Sequence, residues 1–317
     1  MDMQPHVEPI DARLEERITP LHLSQRLGIE SEHEAQVFGQ GRNFFHIENW
    51  YSIHSVIRNL LRMTFLYGRG RRNILDLAVR RNQIRLAHLP ATLSGFTLLH
   101  ISDLHLDAHP GMIHALIEKV SKVDYDLCVL TGDFRARTFG PFDSALQDMA
   151  KLRPHLKGEV FGVLGNHDSI RMVPALEAMD IHMLMNESAM VESNGECLYL
   201  SGIDDAHYYR ADNLEKAALD IPRDAVSILL SHTPEIYRHA AYAGFDLMLC
   251  GHTHGGQFCL PGGIPITCNA NCPRSLCRGP WHHHGMQGYT SPGVGVSVVD
   301  VRFNCPPEIT LHTLEPG

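Results

Sequence analysis

Five short apolar runs, each closed by a polar turn, organise this chain. FTLLHI leads into Ser102-Asp103-Leu104-His105, DLCVLT into Gly132-Asp133, EVFGVL into Gly165-Asn166-His167-Asp168, VSILLS into His232, and DLMLC into Gly251-His252-Thr253-His254. Runs of this length, rich in β-branched and apolar residues and bounded by Gly and polar turns, predict buried strands. Between them GMIHALIEKV, FDSALQDMAKL, VPALEAMD, NLEKAALD and TPEIYRHAAYAG place apolar residues three and four apart, which predicts helices. The alternation predicts an α/β fold. CLYLSG, VGVSVVDV and EITLHTL predict later strands with less helix between them, and so a second, mixed sheet.

Each of the five turns carries a residue able to bind a metal. Aligned strand ends in an α/β sheet form a crevice where ligands collect, so the five ends are expected to converge on one site. Carboxylate, imidazole and amide donors together suit Mn, Fe or Zn, and the lack of a thiolate in the set argues against an iron–sulfur cluster. Asp103, His105, Asp133, Asn166, His232, His252 and His254 are too many for one catalytic ion. They suit two ions sharing a carboxylate, with Asp133 as the natural bridge. Two ions ~3.5–4 Å apart can hold a bridging hydroxide and clamp a phosphoryl oxygen, so a phosphate ester or anhydride is the expected substrate. Gly132, Gly165 and Gly251 have a backbone role in any case, because tight strand-to-loop turns need positive φ or close approach.

The ordered series D-x-H, G-D, G-N-H-D, a lone His and G-H-T-H resembles the calcineurin-like metallophosphoesterase superfamily. The resemblance implies two mixed β-sheets packed face to face and flanked by helices. It implies that Asp103, His105, Asp133 and His254 hold one ion while Asp133, Asn166, His232 and His252 hold the other. His167 would be the leaving-group acid, with Asp168 as the nearby carboxylate that keeps the imidazole able to donate a proton. IRLAHLPATLSGFTLLHISDLHLD, GHTHGGQFCLPGG and RFNCPPEITLHTL extend the resemblance to a bacterial subgroup of phosphodiesterases over residues 83 to 314. That subgroup includes YkuE-type and YaeI-type proteins, often membrane-associated, and an enzyme cleaving the pyrophosphate of UDP-2,3-diacylglucosamine.

The ligands run from Asp103 to His254, so no cut between them leaves an intact site, and one catalytic domain over 83–317 is expected after a lead-in over 1–82. The 317-residue chain carries a formal net charge of -9. Against that background residues 50–67 and their continuation are basic. Ile53, Val56, Ile57, Leu60, Leu61 and Thr64 recur at helical spacing, Phe65 extends the apolar surface, and Arg58, Arg62, Arg69, Arg71, Arg72, Arg80, Arg81 and Arg85 surround it. Such a helix fits an anionic membrane surface, and its arginines and short length forbid a crossing. Packing on the catalytic domain is the competing reading. No recognition motif points to nucleic acid. No apolar stretch follows Met1, so a cytoplasmic location, peripheral on the inner membrane, is expected.

Three further features bear on the site. Arg135, two residues after Asp133, is placed to contact a substrate phosphate, since Arg suits bidentate phosphate contacts. Cys268, Cys272 and Cys277 precede His282, His283 and His284 and offer a structural zinc, although the spacing matches no common finger. Eight cysteines without a secretory signal are expected as free thiols. The chain is thus read as a dinuclear hydrolase of a phosphodiester or pyrophosphate bond, in a lipid- or nucleotide-linked substrate. The alternatives are a phosphomonoesterase, including a phosphoprotein phosphatase, and a noncatalytic scaffold, which would be expected to have lost ligands or the acid.

Overall fold

The computed structural model describes residues 12–38, 51–297 and 299–317. Among the described residues the strands, in chain order, are β1 (Ala78–Leu86), β2 (Thr97–Ile101), β3 (Leu127–Thr131), β4 (Val160–Val163), β5 (Ile181–Met183), β6 (Glu187–Ser193) and β7 (Glu196–Gly202). They continue as β8 (Val226–Leu230), β9 (Leu247–Cys250), β10 (Cys259–Leu260), β11 (Ile264–Pro265), β12 (Gly279–His283), β13 (Met286–Thr290) and β14 (Glu308–Pro316). The helices are α1 (Ala12–Ile18), α2 (Pro20–Phe38), α3 (Tyr51–Met63), α4 (Tyr67–Asn73), α5 (Met112–Val120), α6 (Asp143–Leu152), α7 (Val173–Glu177), α8 (Leu214–Ala218) and α9 (Tyr237–Ala243).

Two six-stranded mixed sheets result, ordered β1-β14-β2-β3-β4-β5 and β12-β13-β9-β8-β7-β6. Leu98, Val129 and Phe161 from the first sheet meet Leu200, Ile228 and Leu249 from the second in one buried cluster, so the sheets pack face to face. The outer face of the first sheet is covered by α1, α2, α5, α6 and α7, and that of the second by α8 and α9. Strands β2, β3 and β4 are parallel neighbours, as are β8 and β9. Their carboxyl ends therefore open on the same side of each sheet, where a crevice forms. All five apolar runs that end in candidate ligands are these strands.

Three sequence expectations change. VGVSVVDV forms no strand over its described residues; Val294 N donates instead to Ser102 O at 2.9 Å and Gly295 N to Asp103 O at 2.6 Å. The segment is drawn against the first ligand loop, and a Cβ on Gly295 would meet the His105 side chain. The boundary expected at 82/83 falls inside β1, which pairs in parallel with β14 along Ala78 to Leu86. The polar stretch before residue 50 also holds structure: Leu14, Ile18 and Leu23, from α1 and α2, join the same core as Leu99 and Leu130. Pro20 sits at the first position of α2, where its missing N–H costs nothing.

Candidate metal centre

The geometry at the strand ends is built by unusual backbone. Asp103, His105, Asp133, His252 and His254 all have positive φ, from 40° to 70°. For non-glycine residues this region costs of order 1–3 kcal/mol each and persists only where the surroundings enforce it, so five instances in one cluster mark a site rather than a packing solution. Close backbone approach does the enforcing. A Cβ on Gly251 would collide with Ser102 Oγ and Asp103 Oδ2, and one on Gly165 with Asp133 Oδ1. Only glycine lets these loops come this near, within the first sheet at Gly165 and between the two sheets at Gly251.

The donor atoms form two sets. In the first, His105 Nε2 lies 3.2 Å from His254 Nε2, which lies 3.5 Å from Asp103 Oδ1. In the second, Asn166 Oδ1 is 3.0 Å from His232 Nε2 and 2.8 Å from His252 Nδ1, and the two imidazole nitrogens are 3.3 Å apart. Asp133 Oδ2 faces both, 3.5 Å from His105 Nε2 and 3.3 Å from His232 Nε2. Ligand bonds of about 2.0–2.2 Å place donors on neighbouring vertices about 3.0–3.5 Å apart, so these spacings fit ions of that size. Asp103, His105 and His254 form one group whose donors lie within 4.8 Å of each other, and Asp103, Asp133 and His232 form another.

The second layer of contacts orients the rings. His105 Nδ1 sits 2.9 Å from Arg135 O and His232 Nδ1 sits 2.8 Å from Thr131 O. A carbonyl only accepts, so each Nδ1 carries a proton and each Nε2 is the atom turned to the centre. Burial works against a charge on His232, but Asp133 and Asp103 outweigh it and push its pKa up to about 10. Burial likewise opposes ionisation of Asp133, and His232 and His167 nonetheless hold it well below the usual carboxylate range. The pocket therefore concentrates negative charge that a cation can satisfy in place of protons.

His167 lies beside both sets without belonging to either. Its Nε2 is 3.8 Å from Asp133 Oδ2, and its ring stands edge-on to His105 with centroids 5.2 Å apart. The expected partnership with Asp168 is not formed. Asp168 is fully buried and accepts from Phe134 N at 2.9 Å and Gly165 N at 2.9 Å, so it ties the G-D turn to the G-N-H-D turn. His167 Nδ1 instead meets Thr138 Oγ1 at 3.1 Å. Arg135 also departs from expectation. Its guanidinium bonds His167 O at 2.5 Å, Gly140 O at 2.7 Å and Thr138 O, so three of its five N–H groups order the loop that carries Thr138. Cys268, Cys272 and Cys277 are free thiols, and among the described residues they do not form a group with all donors within 4.8 Å.

Several site residues escaped the sequence reading. Arg26 of α2 is fully buried, donates to Asp168 O at 3.0 Å and pairs with Asp204 at 3.2 Å. Glu30, one turn on, accepts from Ser169 Oγ at 2.7 Å and Ile170 N at 2.8 Å. The lead-in helix thus clamps the loop that follows the G-N-H-D turn. Asp205 accepts from the amides of His207, Tyr208 and Tyr209, and the His207 ring lies 4.2 Å from that of His252. One signal was present: CLYLSG also ends in chemistry, at Asp204-Asp205, and is a sixth loaded strand end.

The chain is similar in sequence to known proteins. The family described as calcineurin-like phosphoesterase matches residues 96–256. The uncharacterized metallophosphoesterase YkoQ of Bacillus subtilis is 29% identical over 266 residues, covering 80% of this chain and 96% of that protein. An uncharacterized metallophosphoesterase of Aquifex aeolicus is 30% identical over 254 residues, 75% of this chain and 92% of its own length. The phosphodiesterase YaeI of Escherichia coli is 27% identical over 246 residues, 73% and 86% respectively.

Proposed function

The chain belongs to the calcineurin-like phosphoesterase family and is a phosphoester hydrolase, and from that premise we propose that it cleaves a phosphodiester or pyrophosphate bond with two divalent ions, Mn, Fe or Zn. The observation that carries this reading is the position of Asp133 Oδ2, within 3.5 Å of an imidazole from each donor set. Asp103, His105, Asp133 and His254 would hold one ion, and Asp133, Asn166, His232 and His252 the other. Such a pair supplies a nucleophile from water near neutral pH and neutralises charge on the phosphoryl oxygens. His167 protonates the departing oxygen, and Thr138 holds its ring. Arg135 and Asp168 keep those two loops in register.

A screen of phosphate and nucleotide release with Mn, on mono-, di- and pyrophosphate substrates, tests the reading. Turnover of diesters or pyrophosphates that stops with chelator is expected. Turnover of monoesters alone would assign a phosphomonoesterase, and no turnover of any of the three substrate types, with Mn or after exchange for Fe or Zn, would favour the scaffold.

The face of α3 supports a place of action at an anionic lipid surface. Val56, Leu60, Met63 and Phe65 are exposed, Phe65 at 91%, beside Arg62, Arg69, Arg71 and Arg72. The side chain of Ile53 and all of Trp50 lie outside the described residues. No helix among the described residues is long and apolar enough to cross a membrane. Apolar insertion and basic attraction act together here, the latter worth ~1 kcal/mol per residue and weakened by salt. The protein is expected to sediment with anionic vesicles at low salt and much less with neutral ones. Charge reversal at Arg69 and Arg72 is expected to release it; Arg71 is left unchanged because it pairs with Asp300 at 3.3 Å. Equal recovery with neutral and anionic vesicles would contradict this.

A further inference from the structure

We propose that Arg26 and Glu30 of α2 are positioning residues for the acid, holding the G-N-H-D turn so that the His167 imidazole meets the departing oxygen. The inference rests on the reading of His167 as the proton donor. In α2 His22, Arg26 and Glu30 follow one another four residues apart and so share one face, while Leu23 and Leu27 turn to the core. That polar face meets the site. One guanidinium joins three parts of the chain: Arg26 Nη2 donates to Asp168 O at 3.0 Å, Nη1 lies 2.7 Å from Glu30 Oε1, and Nε lies 3.2 Å from Asp204 Oδ2. Glu30 completes the grip, accepting from Ser169 Oγ at 2.7 Å and Ile170 N at 2.8 Å. The three residues after His167 are therefore all bonded to α2.

At His167 itself the ligand loops hold the chain: His167 N donates to Asp133 Oδ1 at 2.8 Å, and Arg135 bonds His167 O. A turn pinned on one side pivots. Pinned by α2 on the other side as well, it sets the direction of the ring between. Stability alone does not call for this arrangement, because Arg26, Glu30 and Asp204 are at most 6% exposed and burying charges carries a desolvation cost that apolar packing avoids. Leu14, Ile18 and Leu23 already seat α1 and α2 on the core by apolar contact. The charged groups stand where directional bonds to one turn are made. A reacting group displaced by about 1 Å loses on the order of 100-fold in rate, so a small pivot of the turn is enough to matter. Helix α2 lies outside the family-matched residues 96–256, and this part of the site is built from beyond them.

The test uses the full chain with Mn and two diesters of similar size: methyl phenyl phosphate, whose leaving group needs a proton, and methyl 4-nitrophenyl phosphate, whose leaving group does not. The paired variant Arg26→Met, Asp204→Asn removes the anchor without leaving a buried carboxylate facing an apolar side chain. It is expected to lose about 100-fold in kcat on the phenyl ester and far less on the nitrophenyl ester, with KM and bound Mn near wild type. Added to His167→Ala, it is expected to cost nothing further on the phenyl ester, because it acts through that ring. Glu30→Gln keeps the volume and disturbs fewer bonds; it is expected to show a smaller loss with the same pattern, and it decides the matter if circular dichroism shows the paired variant unfolded. Equal losses on the two esters, or a full additional loss in the His167→Ala background, would make α2 a structural support only and overturn the proposal. Undiminished rate on the phenyl ester in both variants would overturn it too. If His167→Ala itself loses equally on the two esters, the acid reading fails and the proposal with it, and failure of the wild type to hydrolyse either ester would overturn the diester reading in the same way.

Discussion

Asp133→Asn is expected to reduce turnover by more than about 100-fold and to lower the metal bound per chain. The substitution keeps the shape of the side chain while removing its charge and replacing one acceptor with a donor. Asp133 is 1% exposed, its Oδ1 accepts from His167 N at 2.8 Å, and its Oδ2 faces His105, His232 and, at 3.8 Å, His167. An amide nitrogen in place of Oδ2 has no lone pair for an ion and no charge to balance a cation or a protonated His232. Loss of an outer partner of a ligand commonly costs about 10–100-fold in affinity or activity, so loss of a ligand shared by two ions is expected to exceed that. Circular dichroism should show the fold retained, since no volume changes. A variant with both ions and near-native rate would show that Asp133 is not the bridge.

His167→Ala is expected to keep the metal and lose rate. No donor distance in either set involves the His167 ring except its 3.8 Å approach to Asp133 Oδ2, so the ions should not depend on it. General acid catalysis is commonly worth ~10²–10⁴-fold, and that range is the expected loss on an ester with a poor leaving group. With a nitrophenyl leaving group, which departs without a proton, the loss should shrink markedly. The contrast separates proton donation from binding, because a residue that only binds substrate would cost the same on both esters. Loss of metal in this variant would instead make His167 part of the coordination shell.

The seven candidate ligands come together because each follows an apolar run, and a buried strand delivers whatever follows it to the sheet's edge. What direction a side chain then takes is not written in that pattern. Asp168 and Arg135 stand within two residues of ligands, yet both turn to backbone groups: two sharp loops leave amides and carbonyls unpaired, and a buried carboxylate and guanidinium are the groups that satisfy them. The left-handed backbone at five candidate ligands was equally invisible, since Asp and His carry no propensity signal for it strong enough to read. Strand β1 was missed because it is an edge, with Arg80 and Arg81 exposed where a buried strand would show apolar residues. Helices α1 and α2 were missed for a related reason: α2 buries Arg26 and Glu30, charged residues that read as solvated until Asp204 and Ser169 are brought to them.

The central claim is that two ions act together in one site, and metal stoichiometry measured alongside activity tests it most directly. Apoprotein titrated with Mn should bind two ions per chain, with diester or pyrophosphate hydrolysis rising only as the second site fills. Saturation at one ion per chain with full hydrolytic rate would contradict the account.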